Sequence, residues 1–214
     1  MFQLVSVILL SYLAGSFPTS IITGKLLKGI DIRQHGSGNA GGTNVFRVLG
    51  WKPGLFVMLF DFFKGFAATF WISLIASDLS FIDYGSVQLI TGCCAILGHI
   101  WTVFANFHGG KGVGTAAGML VALYPLAFII CLAVFFMVFF LTRIVSLGSM
   151  IAAVTLPLVL TIFRYALNQE ISQTLYIFSF LVAVLIVFTH RSNIKRLLKG
   201  EENKFKRNIE QKDE

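Results

Sequence analysis

Long apolar runs with few charged residues dominate the sequence and restrict the chain to one environment. They occupy roughly residues 1–24, 54–76, 85–106, 113–141, 146–163 and 171–189. A helix that crosses the hydrocarbon core of a bilayer needs about 20 apolar residues, each rising about 1.5 Å. The strands of a membrane barrel would instead alternate apolar and polar residues, and these runs do not. The sequence therefore predicts an all-α polytopic membrane protein.

The charges between the runs predict its orientation. Segment 25–52 carries five basic residues and one acidic residue, whereas segment 77–84 carries two aspartates and no basic residue. The segment after the last run is again rich in Lys and Arg. Because cytoplasmic loops carry an excess of Lys and Arg, we expect the C-terminus in the cytoplasm and the N-terminus outside. Topology thus explains the net charge of +7 without nucleic acid as a partner.

An outside start and a cytoplasmic finish require an odd number of crossings, although there are six runs. Tyr124-Pro125 divides the longest run, 113–141, and proline interrupts a helix. Division there predicts a seven-helix bundle with its polar motif loops on the cytoplasmic side. The helix from about Gly112 to Tyr124 would rise only about 20 Å. The loop before it should therefore be sunk into the membrane beside a polar cavity.

We expect a single transmembrane domain over 1–199, followed by a solvated cytoplasmic tail over 200–214 that is rich in Glu, Lys, Asn and Gln. The first run lacks a basic segment before it and is expected to be retained as a span rather than removed as a signal peptide. Three cysteines lie within apolar runs and offer neither a disulfide framework nor metal-ligand spacing; they are Cys93, Cys94 and Cys131.

The first polar motif is HGSGNAGGTNVFR, residues 35–47. It contains G-x-G-x-x-G, but that pattern indicates a dinucleotide fold only between a strand and a helix. Glycines can also present consecutive amides to an anion. Further donors would come from Ser37, Asn39, Thr43, Asn44 and Arg47. A loop that only forms tight turns is the alternative.

The second motif, GHIWTVFANFHGGKGVGTAAG, covers residues 98–118. Its Gly-Gly-Lys-Gly is not a Walker A loop, because Ala105 replaces the first glycine and Gly112 replaces the Mg²⁺-binding Ser or Thr. A lysine among glycines at a helix N-terminus still suits phosphate, since amides, dipole and ammonium act together. A snorkelling lysine is the alternative, and the sunken position favours phosphate binding.

The third motif, HRSNIKRLLKGEE, follows the last run at 190–202. As a helix it places His190 and Asn193 on one face. Its basic residues fit the collar of a cytoplasmic helix end, but topology does not require His190 or Asn193.

Inside the second run, Asp61 and Lys64 are spaced to neutralise each other and are expected to form a structural buttress facing the bundle interior. The roles of His35, His99 and His108 stay open.

Together these motifs resemble the bacterial acyl-phosphate:glycerol-3-phosphate acyltransferases, the PlsY family. The likeness covers nearly the whole chain and also includes GSFPTSIITGKLLKGIDIRQ before the first motif and TRIVSLGS at 142–149. Several long motifs in the same order make it specific. One departure is His108, where the family usually has a lysine before Gly-Gly-Lys-Gly.

The resemblance implies an enzyme of the bacterial cytoplasmic (inner) membrane that uses neither a cofactor nor a metal. It would transfer a fatty acyl group from acyl phosphate to the 1-hydroxyl of glycerol 3-phosphate, giving lysophosphatidic acid and phosphate, the first acylation of phospholipid synthesis. Neither acyl-CoA nor acyl carrier protein would be the donor. The H-x-x-x-x-D motif of soluble acyltransferases is not needed, and Phe104 stands where an aspartate would follow His99.

The expected catalytic residues are Ser37, Arg47, Lys111, His190 and Asn193. Substrate binding is expected at Gly36, Gly38, Asn39, Gly41, Gly42, Thr43, Asn44, Gly109, Gly110, Gly112 and Ser149. The first three catalytic residues would clamp phosphate, and the other two would orient glycerol 3-phosphate. Acyl phosphate has a good leaving group, so positioning and charge stabilisation can carry catalysis. The general base is left open between His190 and the substrate phosphate, and no paired base supports an acyl-enzyme at Ser37.

Two other classes of protein are alternatives to this enzyme. A transporter for phosphorylated solutes would also need a cationic pocket, but transporters usually show two related halves, and here the polar motifs crowd on one face. A basic scaffold for anionic lipids would explain the C-terminal segment but not the glycine loops.

Overall fold

Helices form the part of the chain that this computed structural model describes, residues 2–205, and no strand occurs in that range. The ten α-helices, α1 to α10 in chain order, are Phe2–Ser16, Thr19–Lys28, Gly42–Leu49, Trp51–Phe70, Tyr84–Ile100, Val113–Leu123, Pro125–Thr142, Val145–Thr161, Gln173–Thr189 and Arg191–Leu198. Short 3-10 turns at Ile32–Gln34, Ile72–Ala76 and Val103–Ala105 and a π turn at Ile162–Ala166 complete the fold. The all-α prediction is confirmed. The end of the predicted tail, residues 206–214, lies outside the described range.

Five helical stretches within residues 2–205 are long and apolar enough to cross a bilayer. They are Phe2–Lys28, Trp51–Ala76, Tyr84–Ala105, Pro125–Thr142 and Val145–Ala166. α9 becomes a sixth when it is taken together with α10, to which it is bent by 59°. α6 is apolar but has only 11 residues, fewer than the roughly 20 of a full crossing. The prediction of a multi-pass membrane protein is confirmed.

Two of the predicted apolar runs are broken beside a proline. α6 ends at Leu123 and α7 begins at Pro125, as the sequence predicts. The run at 1–24 also divides, at Phe17-Pro18, a break that was not predicted. The Phe17 carbonyl there accepts a 3.3 Å hydrogen bond from Lys64 Nζ on α4. A donor on a distant helix thus supports the second break, to which Pro18 contributes the same local signal as Pro125.

Glycine allows two pairs of membrane helices to pack closely. A Cβ atom on Gly118 of α6 would overlap the Phe62 carbonyl of α4, and one on Gly98 of α5 would overlap the Tyr12 carbonyl of α1. Close backbone contact of this kind drives association of helices in lipid, where apolar side chains gain little by meeting each other. These contacts fix α4, α5 and α6, the helices that carry or precede the polar loops.

A small apolar cluster anchors the first motif loop to the bundle. Its fully or nearly buried members come from α2, the loop, α3, α4 and the second motif, and they are Ile21, Ile32, Ala40, Val45, Val57 and Ala105. Because the first and second motifs share this cluster, they are held side by side. The cluster therefore brings the two glycine-rich loops to the same end of the bundle.

Candidate active site

A cavity of about 510 Å³ lies between α4, α6, α7, α8 and α9, a volume typical of small-molecule sites. Much of its wall is apolar and comes from the membrane helices, including Leu55, Met58, Phe62, Leu120, Phe128, Leu132, Phe135, Leu156 and Val182. The polar wall comes from all three motifs, including Ser37, Asn39, Thr43, Arg47, Lys111, His190 and Asn193. Segments far apart in sequence thus meet at one cavity that can also hold hydrocarbon.

The side chain of Asn44 organises the first motif loop. It is 1% exposed, and its Oδ1 accepts a 2.8 Å hydrogen bond from the Ser37 amide. Its Nδ2 donates to the carbonyls of Ile32, His35 and Asn39 at 2.9–3.0 Å. The sequence predicts substrate contact for Asn44, but the loop itself uses its hydrogen-bonding groups. Asn44 therefore positions Ser37 at the cavity.

Two glycines of this loop shape it rather than line the cavity. Gly36 has φ +61° and Gly38 has φ +74°, in the left-handed region that favours glycine. A Cβ on Gly36 would also collide with Asn44 Oδ1. The amides of Gly42 and Thr43 lie in the first turn of α3, where helix geometry leaves them without a carbonyl partner. The Gly38 amide donates to the His35 carbonyl at 3.1 Å, so the amides that line the cavity without a carbonyl partner are those at the start of α3.

The second motif loop uses two of its amides for folding. The Gly109 amide donates to the Ile100 carbonyl and the Gly110 amide donates to the His99 carbonyl, both at 3.0 Å. A Cβ on either glycine would collide with His99. The sequence predicts that these two glycines bind substrate, but their amides instead hold the loop against the end of α5. Both positions require glycine because His99 packs closely against them.

Lys111 is the cation that the second loop presents to the cavity. Gly112, at φ +83°, follows it and caps the N-terminus of α6. The ammonium donates to Asn193 Oδ1, and the Lys111 carbonyl accepts a 3.1 Å hydrogen bond from Thr189 Oγ1. Burial lowers the pKa of Lys111 to about 8; the Glu202 carboxylate opposes this shift, and two nearby arginines add to it. The second and third motifs are joined through this lysine.

His190 presents one ring nitrogen to the site. It is 2% exposed, lines the cavity, and lies at the junction of α9 and α10. Its Nδ1 is 2.7 Å from the Ile186 carbonyl oxygen. Since a carbonyl only accepts hydrogen bonds, this contact requires a proton on Nδ1 and leaves Nε2 as the second nitrogen. A neutral His190 would therefore offer Nε2 as a proton acceptor.

Glu202 corrects the prediction that a solvated tail begins at residue 200. It is 8% exposed. Its Oε1 accepts from Ser146 Oγ at 2.8 Å and Asn193 Nδ2 at 2.6 Å, and its Oε2 accepts from Arg196 Nε at 2.7 Å. Although burial raises it, these hydrogen bonds hold the pKa of Glu202 below its ordinary value. The carboxylate folds back because it neutralises and orients polar groups of the cavity.

Residues 201–205, here called the C-terminal strap, cross the polar end of the bundle. Arg47 Nη2 donates to the Asn203 carbonyl at 3.2 Å. The Arg47 guanidinium also lies 5.6 Å from the ring centroid of Phe205. The Phe205 amide donates to the Arg143 carbonyl at 2.8 Å, and its ring meets Phe46 edge-on at 5.1 Å. The strap thus links α3 to the corner between α7 and α8.

The cavity brings together all five residues predicted to be catalytic. Of the predicted substrate-binding residues, it is lined by Asn39, Gly41, Gly42, Thr43, Asn44, Gly112 and Ser149 but not by Gly36, Gly38, Gly109 and Gly110. His35 and His108 are exposed and do not line it. Ser146 and Glu202 were not predicted; the acidic pair within a basic segment is the signal that could have pointed to Glu202. Between residues 2 and 205, no three His, Cys, Asp or Glu side chains could hold a metal ion.

The predicted pair of Asp61 and Lys64 is present inside the bundle. Asp61 Oδ1 is 2.9 Å from Lys64 Nζ and 3.5 Å from His99 Nδ1. The three residues are each 5–7% exposed. His99 is therefore a partner of this pair, and both His99 and Asp61 line the cavity.

A multi-pass helical protein whose cationic loops face a partly apolar cavity belongs to the class of membrane proteins that can hold an anion beside a lipid chain. Residues 5–200 match the family described as glycerol-3-phosphate acyltransferase. The glycerol-3-phosphate acyltransferase of Chlorobium phaeobacteroides strain BS1 is 46% identical, with 96% of this chain and 98% of that protein covered. That of Chlorobaculum tepidum is 44% identical, with 95% and 97% covered. The chain therefore belongs to the glycerol-3-phosphate acyltransferase family.

The fold is also similar to crystal structures of PlsY (YgiH), described as an integral membrane glycerol 3-phosphate acyltransferase. In its glycerol 3-phosphate form the TM-score is 0.83 at 37% identity, covering 95% of this chain and 96% of that one. In its lysophosphatidic acid form the TM-score is 0.77 at the same identity, covering 95% of each chain. The resemblance drawn from the sequence motifs is confirmed.

Proposed function

We propose that this protein acylates the 1-hydroxyl of glycerol 3-phosphate with acyl phosphate as donor, giving lysophosphatidic acid and inorganic phosphate. The observation that carries this proposal is the single cavity in which Arg47 and Lys111 face a wall of membrane-helix side chains. Family membership and the two ligand forms of the similar PlsY structure support glycerol 3-phosphate acyl transfer. The acyl-phosphate donor rests on the motif resemblance.

We place the protein in the bacterial cytoplasmic membrane as a seven-helix bundle. In this arrangement α6 is the additional, shortened crossing and the first span consists of α1 and α2. The N-terminus is outside and the motif loops are cytoplasmic, in accord with the positive charge of 25–52 and of the segment after α9. Because the strap contacts α3 and α8, the acyltransferase domain extends through Phe205 rather than ending at 199.

The polar wall has the donors that a phosphate requires. Arg47 and Lys111 supply positive charge and only donate hydrogen bonds. The amides at the start of α3 and the hydroxyl of Ser37 add neutral donors. Asn193, fixed between Lys111 and Glu202, holds the ammonium in place. These groups would bind the phosphate of glycerol 3-phosphate, and Ser149 with the start of α6 would serve the donor's phosphate.

The chemistry then needs little more than alignment. The 1-hydroxyl oxygen attacks the carbonyl carbon of acyl phosphate, the carbon–oxygen bond to phosphate breaks, and phosphate leaves with the bonding pair. The hydroxyl proton passes either to His190 Nε2 or to the departing phosphate. Positive charge around the leaving group stabilises the transition state, and the apolar wall keeps the acyl chain in place.

The direct test uses purified full-length protein, palmitoyl phosphate and labelled glycerol 3-phosphate. We expect labelled lysophosphatidic acid, and no product when palmitoyl-CoA replaces palmitoyl phosphate. Uptake of glycerol 3-phosphate into proteoliposomes without any labelled lipid would instead identify a transporter. Activity with palmitoyl-CoA alone would contradict the assignment of the donor.

The loss of activity at alkaline pH should reflect the deprotonation of Lys111. Because the pKa of Lys111 is about 8, its side chain is positively charged below pH 8 and loses this charge as the pH rises above 8. We expect kcat/KM for glycerol 3-phosphate to be level near pH 7 and to fall roughly tenfold per pH unit above pH 8. Lys111→Arg should move this limit upward, because arginine stays cationic. The exposed control Lys195→Arg should not move it, and an unchanged limit in Lys111→Arg would refute the assignment.

A further inference from the structure

A second group of ionisable side chains lies beside the cavity. It consists of Asp61 and Lys64 on α4 and His99 on α5, all nearly buried. Asp61 and His99 line the cavity. An ideal Cβ on Gly114 would lie 3.2 Å from Asp61 Cβ. Asp61 is therefore packed against the first turn of α6, which begins directly after Lys111 and Gly112.

The two carboxylates of the cavity differ in how much hydrogen-bonding capacity they have left. Glu202 uses both oxygens, on Ser146, Asn193 and Arg196. The close contacts of Asp61, with Lys64 and His99, are made through Oδ1. Within residues 2–205, no group donates a hydrogen bond to Asp61 Oδ2. Asp61 is thus the carboxylate of the cavity with an acceptor oxygen to spare.

The substrate requires such an acceptor. Lysine and arginine side chains, like helix amides, only donate hydrogen bonds, so the cations suit the phosphate of glycerol 3-phosphate but not its hydroxyl protons. A hydroxyl that enters a partly apolar cavity without an acceptor loses its hydrogen bond to water. A fixed carboxylate packed against the first turn of α6, just after Lys111, meets this need.

We propose that Asp61 Oδ2 accepts a hydrogen bond from a hydroxyl of the glycerol moiety, with Lys64 and His99 holding the carboxylate in position. This inference rests on the proposed function. The pair of Asp61 and Lys64 would then do more than support the fold. It would form the part of the site that distinguishes glycerol 3-phosphate from phosphate alone. Hydrogen bonds to a charged group are strong enough to be worth about tenfold or more in affinity.

The test compares two ligands on one variant. Asp61→Asn keeps the shape of the side chain and removes its charge. We expect the dissociation constant for glycerol 3-phosphate to rise at least about tenfold, with that for inorganic phosphate unchanged, as measured by calorimetry on the detergent-solubilised full chain. Asp78→Asn, an exposed aspartate outside the cavity, is the matched control and should change neither constant.

Asp61→Asn leaves the Lys64 charge buried without its counter-ion, so a second variant guards against loss of folding. Asp61→Asn/Lys64→Met removes both charges together, which proteins tolerate better than removal of one. The same selective loss of glycerol 3-phosphate affinity is expected in it. If the binding of both ligands weakened equally, or if neither weakened, the pair would only support the fold. A wild-type protein that binds glycerol 3-phosphate selectively but forms no labelled lipid would instead refute the proposed function.

Discussion

Replacing Lys111 with Met should lower kcat/KM for glycerol 3-phosphate by about 10²–10³-fold, the usual cost of losing one well-placed charge-stabilising donor. Methionine preserves most of the apolar stem but cannot bind phosphate. The loss should be large because the ammonium is held by Asn193 inside the cavity rather than being mobile at the surface. Steady-state kinetics with palmitoyl phosphate in excess measure the effect.

Lys195→Met provides the matched control for this change. Lys195 is exposed on α10 and does not line the cavity, so its removal should leave kcat/KM within about twofold of wild type. Similar losses in both variants would indicate that general positive charge at the membrane surface, and not a specific phosphate contact, supports the activity.

Replacing Glu202 with Ala should damage both stability and activity. The change leaves Arg196, Asn193 and Ser146 without the carboxylate that now satisfies them, and buried polar groups without partners cost about 1–3 kcal/mol each. We expect the midpoint of thermal unfolding to fall by about 5–10 °C at a fixed scan rate. We also expect kcat/KM to fall at least tenfold, because Asn193 would no longer hold Lys111.

Glu201, the neighbour of Glu202, provides the matched control for Glu202→Ala. Glu201 is exposed, so Glu201→Ala changes the net charge by the same amount without touching the cavity. It should unfold and turn over as wild type does. If Glu202→Ala matched Glu201→Ala in both measurements, the strap would not contribute to the site.

Local features of the sequence account for most of the membrane fold. Span length and hydropathy predict the long helices, and the Tyr124-Pro125 break follows from the missing proline amide. The break at Pro18 carries the same local signal, but it was missed because the run at 1–24 has the length of a single crossing; its Phe17 carbonyl is also supported by Lys64, a donor on another helix. Interactions within one segment can be read from its residues, whereas those between helices require the packing.

The same distinction between local and long-range interactions explains which features of the site could be predicted from sequence patterns. The three motifs predict which segments line the cavity, since glycines, cations and a histidine are unusual there without a role. They do not show which amides are free. Those of Gly109 and Gly110 pair with the end of α5, and Asn44 uses its side chain on the Ser37 loop. Glu202 was overlooked because the segment around it has the composition of a solvated tail. One of its partners, Ser146, lies far away in sequence.

The strap also sets the order in which the site can form. The hydrogen bond from Arg47 to the Asn203 carbonyl joins residues 156 positions apart, so it closes after the intervening helices have been made and inserted. Contacts between such distant residues form late, because the long loop between them must first be closed. During synthesis, the polar end of the cavity would stay uncovered until Asn203 had left the ribosome. The membrane would thus hold an inserted but inactive bundle before it held a working enzyme.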